Sequence, residues 1–103
     1  MAAHAVRFDD ETNDHFALLT ARQRSTVFDA IRRQLLHEPR VETRNRKRMH
    51  EGKPGFIAPW ELRVGELRVY HDVENGPPPT VVIEAVGMKV RNIVRIGDRE
   101  YEV

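Results

Sequence analysis

"PWELRVGELRVYHDV", residues 59–73, is the stretch on which the fold turns. Trp60, Leu62 and Val64 alternate with Glu61 and Arg63, and after Gly65-Glu66 the alternation resumes. Leu67, Val69, His71 and Val73 take one parity, Arg68, Tyr70 and Asp72 the other. A period of two sends successive side chains to opposite faces of a strand. Two such runs around a glycine turn make an antiparallel hairpin. The pleat assigns Trp60, Leu62, Val64, Leu67, Val69 and Val73 to a buried face, and Glu61, Arg63, Arg68 and Tyr70 to the opposite one. His71 shares the buried parity, which suits a hydrogen-bonded core residue better than a base.

Working outward, the N-terminal half is helical. His4 to Phe8 alternates and reads as a short strand. Asp9 or Asp10 is placed to cap a helix running to about Leu19. Thr20-Ala21-Arg22-Gln23 has the spacing of a capping box, opening a second helix with Val27, Phe28, Ile31, Leu35 and Leu36 on one stripe. Pro39 ends that helix and excludes Glu38 from the helical region. A basic loop then runs through Gly52, Pro54 and Gly55 to the hairpin. Beyond the hairpin, Thr80 to Val86 is β-branched and nearly continuous, as in a central strand, and Gly87 is expected to break it. Ile93 to Ile96, Gly97-Asp98 and Arg99 to Val103 read as a terminal hairpin. The order is β-α-α-β-β-β with a C-terminal hairpin extension. It predicts an α+β fold, two N-terminal helices packed on a small, twisted, mostly antiparallel sheet.

The 103 residues fit one domain, 1–103, with a single core. Absence of cysteine excludes disulfides, thiolate metal sites and thiol nucleophiles, and fits a reducing compartment. No apolar run approaches the roughly 20 residues of a membrane span. Met1-Ala2-Ala3-His4 has no signal-peptide character, so a cytoplasmic location is expected. The five histidines lack metal-ligand spacing, and glycine-rich phosphate cradles and serine-nucleophile motifs are missing, so no metal or cofactor is expected.

Charge is more telling in its distribution than in its sum. The chain is +1 overall, but residues 32–53 carry eight cations against three carboxylates, leaving the remainder at −4. Such asymmetry suggests one basic surface on an acidic body. Arginine outnumbers lysine fourteen to three, which suits phosphate recognition, although a GC-rich genome gives the same bias. Arg63 and Arg68 fall on neighbouring strands and repel unless an anion sits near them. Glu61 and Glu84 can neutralise them in a surface salt lattice. Alternatively, both arginines hold a phosphodiester while Arg44, Arg46, Lys47 and Arg48 grip the backbone. Lys89 and Arg91 follow Gly87 where a strand end presents side chains, and His50 lies within the basic loop. Trp60 reads as a core anchor rather than a base-stacking platform.

Together "PWELRVGELRVYHDV", the later "VIEAVGMKVRN", the two helices and the basic "NRKRM" segment resemble the RelE/ParE superfamily of toxins from bacterial toxin–antitoxin pairs, over Val6 to about Arg91. The resemblance implies a cytoplasmic RelE-like toxin, a metal-independent endoribonuclease acting on messenger RNA at the ribosome. The ribose 2′-hydroxyl would attack the adjacent phosphate. A cognate antitoxin would neutralise the toxin in a hetero-oligomer, covering the helices and the basic face. Arg68 matches the hairpin arginine expected to clamp the scissile phosphate, Arg63 a basic position on the preceding strand, and Lys89 the basic position after the V-G element. Glu61 stands where RelE has a lysine, and Arg95 where a tyrosine is expected. Glu61 is then the candidate base by type, with Tyr70 or Tyr101 replacing the missing tyrosine. The same departures fit a ParE-like gyrase inhibitor or a degenerate toxin acting by binding alone. A structural adaptor whose basic loop binds only an antitoxin is a third reading. Under the nuclease reading, neutralising the basic loop weakens binding, whereas Arg68→Ala spares binding and stops cleavage.

Overall fold

The computed structural model describes residues 3–53 and 56–102. The expected roles of Met1-Ala2, of Pro54 and Gly55 in the basic loop and of Val103 lie outside the described residues. In chain order the elements are β1 (Ala5–Phe8), α1 (Thr12–Ala17), α2 (Ala21–Gln34), β2 (Arg46–Arg48), β3 (Trp60–Val64), β4 (Leu67–Glu74), β5 (Thr80–Val90), β6 (Ile93–Ile96) and β7 (Arg99–Glu102). The hairpin forms in the register that the alternation demands: Trp60 pairs with His71 and Val64 with Leu67. Gly65 turns it at φ +60°, a region open to glycine without steric cost.

The strands form one sheet in the order β2-β3-β4-β5-β6-β7, with β1 alongside the first half of β5. All pairings are antiparallel except β1 with β5. The two helices lie on one face, so the fold is α+β. Leu62, Leu67, Val69, Val81, Ile83 and Val86 meet Val27, Ala30, Ile31 and Leu35 there. Full burial of each Leu, Ile or Val contributes about 1.5–3 kcal/mol, which makes this layer the main source of stability. No helix among the described residues is long and apolar enough to cross a membrane.

Several local expectations change. Helix α1 is shorter than expected, and neither aspartate side chain caps it. The Asp9 carbonyl instead accepts from Thr12 N–H at 2.9 Å and from the Thr12 hydroxyl at 2.6 Å. The capping box of α2 forms in full: the Thr20 hydroxyl accepts from Gln23 N–H at 3.1 Å and the Gln23 amide oxygen from Thr20 N–H at 2.9 Å. Helix α2 ends at Gln34, and Glu38 adopts φ +52°, outside the right-handed helical region. Phe28 is 46% exposed rather than core. One residue round the helix from Val27, it meets the sheet only at the margin, stacking on Phe16 at 4.9 Å.

The basic segment is not all loop, because Arg46–Arg48 pairs with β3 as an edge strand. Nor does Gly87 break β5, which continues to Val90. A β-carbon at Gly87 would lie 2.2 Å from the Arg95 carbonyl oxygen and 2.8 Å from Ile96 Cγ1. The glycine therefore lets β6 pass close over the strand.

Candidate nucleic-acid interface

Cross-strand register sorts the hairpin's polar side chains onto the face away from the helices. Lys47 pairs with Glu61, Glu61 with Tyr70, and Tyr70 with Ala85. In the adjacent row Arg63 pairs with Arg68, and Arg68 with Gly87. Two residues further along β5 lies Lys89, whose N–H reaches the Glu66 carbonyl at 2.8 Å and ties it to the hairpin turn. Since directly opposed residues point to the same side, this face carries Lys47, Arg63, Arg68 and Lys89 with Glu61 among them, and Asp72 further along β4.

The face is less open than the alternation alone implies. Ala58, Val94 and Ile96 pack against Tyr70 and Ala85 as a second, smaller apolar cluster. The segment before β3 and the β6–β7 hairpin thus cover one end of it. Tyr70 is fully buried, Glu61 is 5% exposed and Arg68 is 9% exposed. The Tyr70 hydroxyl donates to Glu61 Oε2 at 2.9 Å, and Arg63 Nε donates to Glu61 Oε1 at 2.7 Å. Burial, followed by the neighbouring Glu61 charge and its hydrogen bond, holds the Tyr70 phenol well above its ordinary pKa, with Arg68 and Arg63 opposing weakly. The phenol therefore stays protonated and committed to Glu61.

Arg68 is anchored through one nitrogen. Its Nη1 donates to the carbonyls of Gly65 at 2.7 Å and Leu67 at 2.9 Å. Nε is buried without a hydrogen-bond partner, and the guanidinium forms no ion pair among the described residues. A nearly buried cation lacking a counter-ion is costly unless an anion is supplied. Arg63 is half exposed and is held at Nε, with no hydrogen bond at either Nη among the described residues.

The basic segment divides across the sheet. Lys47 joins the outer face, whereas Arg46 pairs with Leu62 and Arg48 with Trp60, on the helix side. Arg46 is buried, donating to the Gln34 carbonyl at the end of α2 and, at 2.6 Å, to the Val41 carbonyl. It acts as a structural clasp away from the other predicted RNA contacts. Arg48 places its guanidinium carbon 5.5 Å over the Trp60 ring. Arg44 is exposed ahead of β2, and Arg91 is exposed at the β5–β6 turn with φ +58°. His50 is exposed, while Trp60 and His71 lie in the core, as their parity requires.

Sequence reasoning did not find a second depression, a groove of about 870 Å³ between α1 and the β6–β7 hairpin. Asp9, Glu11, Asp14, Glu84 and Asp98 line it beside His15. His15 Nδ1 accepts the Val86 N–H at 3.3 Å, filling the gap in the sheet between β1 and β6. Burial lowers the pKa of this imidazole, while burial and then the Asp72 and Asp9 charges raise that of Glu84. The only available signal was the acidic run near residues 9–14. An acidic groove repels phosphate, which leaves the hairpin face as the candidate surface for a polyanion. Among the described residues no group of His, Asp or Glu is arranged to hold a metal. No protein-family model, characterised protein or solved structure matches the chain.

Proposed function

We propose that the hairpin face grips the phosphate backbone of RNA and that the chain is a toxin of the RelE/ParE kind, a ribosome-dependent endoribonuclease restrained by a cognate antitoxin. One observation carries this reading: Arg68, nearly buried and without a carboxylate partner among the described residues, lies directly opposite Arg63 on a face shared with Lys47 and Lys89. Two helices on one face of a mostly antiparallel sheet, with β1 parallel to β5, support it, although β2 adds a strand to the expected β-α-α-β-β-β order. In the reaction, the ribose 2′-oxygen bonds to phosphorus as the bond to the 5′-oxygen breaks. One proton leaves the 2′-hydroxyl and one reaches the departing oxygen. Arg68, Arg63 and Lys89 would stabilise charge on the phosphorane, the largest contribution such a site can make. Glu61, the candidate base by type, has both oxygens held by Tyr70 and Arg63 and supports that cation rather than taking the proton, and buried Tyr70 takes no part in proton transfer.

A binding-only toxin, such as a ParE-like gyrase inhibitor, is the second reading. It is favoured by the commitment of both Glu61 oxygens and of the Tyr70 hydroxyl to one another and to Arg63. Induction of the chain alone in a bacterial host separates the two. Growth arrest with new 5′ ends in translated messages supports the nuclease. Arrest with intact messages and gyrase-linked DNA breaks supports the inhibitor, and unimpaired growth would refute both.

A further inference from the structure

We infer that Glu61 and Tyr70 are positioning residues for Arg63, aligning its guanidinium to receive an RNA phosphate. This rests on the reading of the hairpin face as an RNA surface. It concerns how that face is built rather than which bond is cut.

The hydrogen bonds run in one direction, from a buried anchor to an exposed tip. Tyr70 is fully buried, so its ring is fixed by packing, and among the described residues its hydroxyl donates only to the Glu61 carboxylate. Glu61, with a side chain 6% exposed, is fixed by that bond and by its place between Lys47 and Tyr70 in the sheet. Its other oxygen takes the Nε–H of Arg63, whose side chain is 46% exposed. Contact through Nε leaves neither Nη hydrogen-bonded among the described residues. An arginine serving only to neutralise Glu61 would gain more from a bidentate fork. The one-nitrogen hold fixes the rotamers of a long side chain while keeping its four Nη protons for a ligand. Arg68, opposite, is held in the same manner by two backbone carbonyls on Nη1. The two cations are thus oriented before any anion arrives, lowering the entropy cost of binding.

Simple electrostatics predicts the opposite sign for the decisive substitution. Glu61→Gln removes a negative charge beside a phosphate site and, on Coulomb attraction alone, tightens RNA binding. On the positioning account it weakens binding, because a neutral amide oxygen holds the Arg63 Nε–H less firmly than the carboxylate does, while the Tyr70 hydroxyl turns to accept from the amide nitrogen. The assay is fluorescence anisotropy of a labelled single-stranded RNA oligonucleotide, with melting curves run in parallel. Arg63→Ala should weaken binding about tenfold, the scale of one charge-assisted contact. Glu61→Gln and Tyr70→Phe should each weaken it about threefold or more with Arg63 present, and neither should weaken it further in the Arg63→Ala background. Tighter binding by Glu61→Gln, or an equal loss from Tyr70→Phe with and without Arg63, overturns the inference and leaves the RNA surface standing. RNA binding indifferent to Arg63→Ala overturns the surface itself. If Glu61→Gln does not fold, the shape-conserving Tyr70→Phe carries the test alone.

Discussion

His71 sets a pH limit on this fold that can be worked from its surroundings. The imidazole is fully buried, stacked on Trp60 with ring centroids 6.4 Å apart, and neither ring nitrogen has a hydrogen-bond partner of good geometry among the described residues. Burial lowers its pKa to about 4 against the opposing Val69 carbonyl, with the nearby Arg46 charge lowering it further and the Pro39 carbonyl and Asp72 raising it. In the unfolded chain the imidazole titrates near 6.5. Between these values the unfolded state binds the extra proton, so stability is complete above pH 6.5 and declines as pH falls toward 4. A gap of about 2.5 units at 1.36 kcal/mol per unit gives a loss on the order of 3 kcal/mol. His15, also lowered, adds a contribution of the same sign, and Glu84, raised, one of the opposite sign. The comparison is therefore between wild type and His71→Phe, which keeps a ring against Trp60 and removes the titration. Urea unfolding followed by the fluorescence of Trp60, the sole tryptophan, gives stability at each pH from 7.5 to 4. The variant's decline should be shallower by about 3 kcal/mol over that range. Identical slopes in the two proteins would refute the account of a buried, neutral imidazole.

Four further substitutions probe the scaffold and the basic face. Arg46→Ala removes donors from the Gln34 and Val41 carbonyls. It should cost roughly 2–4 kcal/mol in urea unfolding without changing the salt dependence of RNA binding, whereas Lys47→Ala should reduce that slope by about one phosphate contact. Gly87→Ala drives a β-carbon into the Arg95 carbonyl and should lower stability by about 2 kcal/mol or more, seen as a fall in melting temperature. Thr20→Ala breaks the capping box of α2 and should cost about 1 kcal/mol by the same measurement.

The hairpin and α2 were legible because local and tertiary preferences agree there. The Gly65 turn and the period of two fix the register, and the Thr20–Gln23 capping box needs nothing beyond its own helix. Gly87 was misread because its reason lies eight residues away, where Arg95 passes over it. A single strand's pattern holds no trace of that crossing. Arg46 shows the same limit, since charge counting groups it with Lys47, yet strand parity and the unsatisfied end of α2 draw it inward. The pairing of Arg63 with Arg68 followed directly from alternation. The burial of Tyr70 and Glu61 did not, because it depends on β6 and residues 56–58 folding back over the outer face. The acidic groove is likewise assembled from α1, β5 and the β6–β7 hairpin, and appears in sequence only as a scatter of carboxylates.

The most direct test of the phosphate-clamp account is primer-extension mapping of a message on purified translating ribosomes incubated with the chain or with Arg68→Ala, both shown to be folded. The account predicts cuts within the translated frame with the wild-type chain and none with Arg68→Ala. Equal cutting by both, or an uncut message with an RNA-bound wild-type chain, would contradict it.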